Sequence, residues 1–185
     1  PELASKFLGE RGEAFLAELA DRSLLLRSPE EGNRLFMLGP IATAARSRAR
    51  VERPEASARH ATLFLQLAEG GDVASEERAN LQAAFDHFGE VADWRSQARM
   101  IPAMHQLWWD SGEIAARNPA TRRLYESLPQ SAHHERALVA YSIGVAAYFS
   151  DRLPEATEWF EHMAAHREAE GDLPKILRAR QAVGA

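Results

Sequence analysis

Cysteine is absent from this sequence, and that one absence removes disulfide scaffolds, thiolate zinc and iron–sulfur sites, and thiol nucleophiles. β-Branched residues are scarce: Val, Ile and Thr together occur 15 times, against 34 alanines. Sheets pack their pleated faces with β-branched side chains, whereas helices favour Ala, Leu, Arg and Glu, so the chain is expected to be mostly α. No apolar run approaches the ~18 residues of a membrane span, and no secretory signal pattern opens the chain. The corresponding expectations are no membrane partner and a cytoplasmic location. A positive excess is missing too. With 22 basic residues against 27 acidic ones, the net charge of −5 argues against phosphate-backbone binding as the main task. Lysine is nearly absent, 2 against 20 arginines, a skew read as coding bias and not as a binding signal. Also missing are a phosphate loop, a Gly-x-Ser-x-Gly elbow and a His-Glu-x-x-His pair. No catalytic residue, metal site or cofactor is therefore assigned to the chain itself.

What is present is the composition of an ordinary globular protein: 185 residues, 45% hydrophobic and 26% charged. A chain of this size buries roughly 70% of its unfolded surface. Pro1 in place of a methionine, and a helical pattern running into Ala185, are read as cuts in a longer protein.

Residues 11–22 read as a helix with Phe15, Leu16 and Leu19 on one face. Two apolar runs, Leu24–Arg27 and Arg34–Leu38, flank the breaker stretch Ser28-Pro29-Glu30-Glu31-Gly32-Asn33, which is the signal of a β-hairpin. Pro40 suits the first turn of a helix to about Val51, and Pro54 opens another that ends at Gly70-Gly71. Helices follow over about 75–88, with Ser75 as N-cap, and about 91–109, which Pro102 should kink or shorten. Gly112 punctuates, and a helix through Tyr125 ends near Pro129.

Helix 134–149 carries two stripes, a large one (Leu138, Tyr141, Val145, Tyr148) and a small one (Ala137, Ala140, Gly144, Ala147). The small stripe admits a neighbouring helix, and the large stripe is expected to fill the space beside it. Pro154 starts the returning helix, with Ala156, Phe160 and Met163, and Gly171 ends it. Leu173-Pro174 opens a further helix whose Val183-Gly184 echoes Ile143-Gly144, as a helical repeat would.

Several residues invite sharper readings. His162 and His166 stand at i, i+4, close enough to share a metal, but no third ligand is evident, and they read as surface histidines. His133-His134 is placed in a loop with a capping role. Trp108 and Trp109 point about 100° apart on one helix, so at least one packs in the core.

Gly144, Ala156 and Phe160 match a tetratricopeptide (TPR) helix pair in type and spacing, with Ala140 and Ala147 where that family carries Trp and Tyr. Upstream, an ordered set of runs is more specific. It comprises 19–25 (LADRSLL), 34–41 (RLFMLGPI), 59–69 (RHATLFLQLAE), 80–85 (NLQAAF), Leu107-Trp108-Trp109 with Gly112, and 123–128 (RLYESL). This order resembles the region after the nucleotide-binding domain of bacterial STAND-type regulatory ATPases, including relatives of the SARP and LuxR-type transcriptional regulators.

The resemblance implies a partial winged helix over 1–52, with 24–38 as its hairpin wing. It also implies a helical linker bundle over 53–130 and truncated TPR-like repeats over 131–185. It implies a non-catalytic regulatory segment: ATP and Mg²⁺ belong to an upstream domain, and the repeats receive a protein or small-molecule inducer. DNA is expected only through another domain, and a homo-oligomer is a further expected partner state. Relatives often carry Met-His-Asp after the wing, with the His on the nucleotide phosphates; here Met37-Leu38-Gly39 stands instead.

Tyr141, Tyr148, Trp159 and Arg167 are the candidates for the repeat groove. Arg46, Arg48, Arg50 and Arg53 are assigned to an interdomain or nucleic-acid contact, against the plainer reading of a solvated face. The helix before the wing displays Glu13, Glu18 and Asp21 against Arg11 and Arg22, and such a helix would be repelled by DNA phosphates. The alternative to the regulatory ATPase is a stand-alone TPR-like scaffold for protein–protein interaction.

Overall fold

A computed structural model describes residues 8–9, 11–28, 35–71 and 77–171, with Arg50 described by its backbone alone. The chain is mostly helical, as its composition requires, with one short antiparallel hairpin. It forms two compact units, residues 1–63 and 64–185. The breaks expected after 52 and 130 do not coincide with this division.

In the first unit, α1 (Gly12–Asp21) leaves Phe15 half exposed and Leu16 and Leu19 partly covered. The hairpin that follows is shorter than the sequence suggests. β1 (Leu26–Arg27) and β2 (Leu35–Phe36) pair antiparallel, with Leu26 opposite Phe36 and Arg27 opposite Leu35. Two residues per strand make a ribbon too short to be stable by itself. Helix α2 (Gly39–Glu52) has Pro40 in its first turn, where the missing N–H costs nothing. Among the described residues before α3, only Gly12 and Leu25 are buried. Helix α3 (Pro54–Gly70) contains the division between the units.

The second unit holds the last part of α3, then α4 (Arg78–Glu90), α5 (Trp94–Arg99), α6 (Ile101–Asp110), α7 (Ile114–Ser127), α8 (His133–Tyr148) and α9 (Leu153–Glu170). The single helix expected over 91–109 is two. Asp93 caps α5 by accepting the Ser96 N–H at 3.1 Å, and the helix is interrupted at Met100 before α6 begins with Pro102 in its first turn. The Ser75 cap and the helix expected from Leu173 lie outside the described residues. Gly112 and Gly171 take positive φ, +70° and +74°, and end α6 and α9 as glycine does most readily.

Helix α8 is the centre of this unit and packs on α5, α6, α7 and α9. Its small stripe is wholly buried, together with Val139, Ile143 and Ala146. Gly144 is required for this packing: a Cβ there would lie 2.6 Å from Cε1 of Phe160 on α9. The ring therefore sits on the α8 backbone, and Ala156, one turn earlier on α9, is buried with it. The large stripe does not fill the interior. Leu138 and Val145 are partly covered, and Tyr141 and Tyr148 are about half exposed.

Candidate functional site

Two clusters of side chains stand out in the second unit, on different sides of α8 and α9. The first is an aromatic face. Tyr141 and Tyr148 lie seven residues apart on α8, hence on one side of it, and are 47% and 51% exposed. His105 and Trp109, one turn apart on α6, continue the face. The His105 ring lies 6.0 Å from that of Tyr141, and Trp109 packs at 4.1 Å against Phe149, which in turn lies 5.2 Å from Tyr148. Trp108, one residue away, is buried and packs edge-on against Phe85 at 5.5 Å. The 100° step between neighbouring helical residues thus puts one indole in the core and the other on the surface.

The backbone of this face is held from beneath. Phe160 supports Tyr141 at 6.2 Å, and His105 Nδ1 meets the Ser142 hydroxyl at 2.9 Å. Burial pushes the His105 pKa down, so its ring is neutral at neutral pH and adds no charge to the aromatic surface. A face of this kind makes contact by area, by stacking and by cation–π attraction.

The second cluster joins α7, α8 and α9. Tyr125 of α7 packs edge-on against Trp159 of α9 at 5.0 Å, and its hydroxyl lies 2.9 Å from His166 Nε2. Arg136 of α8 is buried. Its Nη1 donates to the carbonyls of Tyr125 and Leu128 at 3.2 and 2.7 Å, its Nε donates to His166 Nε2 at 3.3 Å, and its guanidinium stacks 4.0 Å from the Tyr125 ring. His133 Nδ1 faces His166 Nδ1 at 3.2 Å. Arg122 pairs with Glu155 and lies over the Trp159 ring at 5.1 Å, adding a second tie between α7 and α9.

The four residues expected to line one groove therefore divide. Tyr141 and Tyr148 lie on the aromatic face. Trp159 belongs to the second cluster, and Arg167 is engaged at the same end of α9, with Nη1 2.9 Å from Glu170 Oε2 and 3.1 Å from His134 Nδ1. His133 and His134 are not in a loop. They are the first two residues of α8, whose N-cap position is Ala132, and their rings turn towards α9 instead of capping. His166 is not a surface histidine but is held by Tyr125, His133 and Arg136, while His162 is exposed beside Trp159. Among the described residues no three His, Asp or Glu side chains are placed to hold a metal ion.

Sequence reasoning missed Phe149, Tyr125 and Arg136. The first completes a ladder begun by Trp109, but it follows the last turn of α8, where helical periodicity no longer assigns a face. The other two are met by residues up to 41 positions away, a distance no local pattern spans.

In the first unit, Arg46, Arg48 and Arg53 are exposed. Arg48 Nε donates to Glu52 at 2.8 Å, an exposed i, i+4 pair of the kind that contributes about 0.3–0.5 kcal/mol. Arg50 lies on the same helix, α2, but its side chain is outside the described residues. Among the described residues no helix is long and apolar enough to cross a membrane. No protein-family model, curated protein or solved structure matches the chain.

Proposed function

We propose that the chain is a non-catalytic, helical-repeat sensor segment of a bacterial STAND-type signalling ATPase, within a transcriptional regulator, which takes a protein or small-molecule inducer on the aromatic face of α6 and α8. The observation that carries this reading is the ladder Tyr148–Phe149–Trp109 with Tyr141 and His105 beside it, half exposed on two helices that pack together. Exposed aromatic rings on rigid helices are the usual anchors of a binding surface.

Three further features support it. The order α5–α6, α7, α8, α9 suits consecutive helix pairs, with α8 in contact with every other member. The seat of Phe160 on Gly144, with Ala156 buried beside it, gives a physical reason for three of the residues by which the chain resembles a TPR pair. In the first unit, a helix followed by a hairpin and a second helix is the order that a partial winged helix requires. ATP and Mg²⁺ would be held by an upstream domain, since the chain contains no phosphate loop.

Titration of a fluorescent ATP analogue into the full-length gene product, and into the 185-residue chain, tests the nucleotide part of this reading. Saturable binding to the full-length product and none to the chain is the expected outcome. Absence of binding to both would remove the nucleotide switch and leave a stand-alone interaction scaffold.

A further inference from the structure

The hydrogen bonds around His166 fix where its protons are. Arg136 Nε–H can only donate, and it points at His166 Nε2, so that nitrogen carries a lone pair and no proton. Tyr125 Oη, 2.9 Å from the same nitrogen, is then a donor to it. The ring proton of neutral His166 is therefore on Nδ1, which faces His133 Nδ1 at 3.2 Å. The contacts of Tyr125 Oη and Arg136 Nε with His166 thus require a neutral ring.

A proton added at Nε2 reverses this. It places an N–H against the Arg136 N–H and a positive charge beside a buried guanidinium, which is tied to the Tyr125 and Leu128 carbonyls. It also turns the Tyr125 hydroxyl from donor to forced acceptor. The groups that face His166 are Tyr125 from α7, His133 and Arg136 from α8, and His162 and Glu170 from α9 itself. Of these only Glu170 favours the charged ring, and it is already engaged by Arg167 and His134.

We propose that the junction of α7, α8 and α9 is an acid-sensitive latch, in which protonation of His166 breaks its contacts with Arg136 and Tyr125 and loosens α9 from the other two helices. Burial, then the charges of Arg136, His133 and His162, hold the His166 pKa down to about 4 from 6.5, in keeping with the hydrogen-bond roles. The latch lies apart from the aromatic face and does not depend on what that face binds.

The test uses the 185-residue chain followed by NMR. The His166 ring is expected to titrate with a midpoint near 4, not near 6.5. Between pH 7 and pH 5, hydrogen-exchange protection of the α9 amides should fall by about threefold, while that of α4 and α5 is retained. In His166→Gln, which stays neutral over this range, the selective loss in α9 should disappear. A His166 midpoint at 6 or above, or an equal loss of protection from α4 to α9, would overturn the proposal. Should His166→Gln fail to fold, those two readouts on the unsubstituted chain decide the question alone.

Discussion

Helices α2 and α8 are of similar length, yet they relate to their surroundings in opposite ways. Nine residues of α8 are buried, among them Val139 and Ile143 with no exposed surface, and four other helices pack around it. None of the described side chains of α2 is buried, and Val51 near its end is 83% exposed. The second unit thus carries its own core, and the first carries little of one among its described residues.

Matched substitutions sharpen this contrast most. Ile143→Ala removes buried methyl groups from a closed site and should cost about 2–5 kcal/mol in chemical denaturation. Val51→Ala, the same kind of truncation on α2, should stay within about 0.5 kcal/mol. Equal effects would mean that the burial difference does not translate into stability.

Gly144→Ala is the next largest and has an informative sign. Helix propensity alone would favour alanine by about 1 kcal/mol at this interior position. The contact with Phe160 Cε1 opposes it, and overpacking of a closed core costs about 1–3 kcal/mol. Net destabilisation in thermal or urea unfolding is expected. A more stable variant would show that the α8–α9 contact has slack.

The smallest effect is that of pH. The folded His166 pKa lies below its unfolded value, so between 6.5 and about 4 the unfolded chain binds more protons at this site. The contribution of His166 is complete above pH 6.5 and is lost as the pH falls to about 4. Because the ring is partly open to solvent, the loss should be about 1 kcal/mol, less than the full shift would give. The difference in urea midpoint between the unsubstituted chain and His166→Gln across this window measures it. A difference independent of pH would contradict the assignment.

Much of the helical framework was legible because its signals are local. Pro54 and Pro154 open helices, Gly112 and Gly171 close them, and the row Ala137, Ala140, Gly144, Ala147 marks the side of α8 that a neighbour approaches closely. The 100° step requires at least one of Trp108 and Trp109 in the core, and Trp108 is the buried one. The hairpin was located but its length was overstated, because apolar residues flanking a turn need not pair when the ribbon has little to pack on.

The large stripe of α8 is expected to fill the space beside the neighbouring helix, but Leu138 and Val145 are only partly covered and Tyr141 and Tyr148 are about half exposed. Periodicity separates two faces but does not say which is covered, and here close helix packing selects the small residues. The junction around His166 was beyond the reach of the sequence, since Tyr125, His133 and Arg136 meet it only after three helices have assembled. Its histidines looked like surface residues because nothing in their own helix marks the buried arginine opposite.

The central claim is that the aromatic face is where the signal enters. Combined Trp109→Ala, Tyr141→Ala and Tyr148→Ala changes, introduced into the native gene, test it most directly through the transcript profile of the host. All three side chains are substantially exposed, so the altered protein should accumulate at the normal level. The account expects it to reproduce the profile of a gene deletion under inducing conditions. A profile indistinguishable from that of the unaltered gene, at equal protein level, would contradict it.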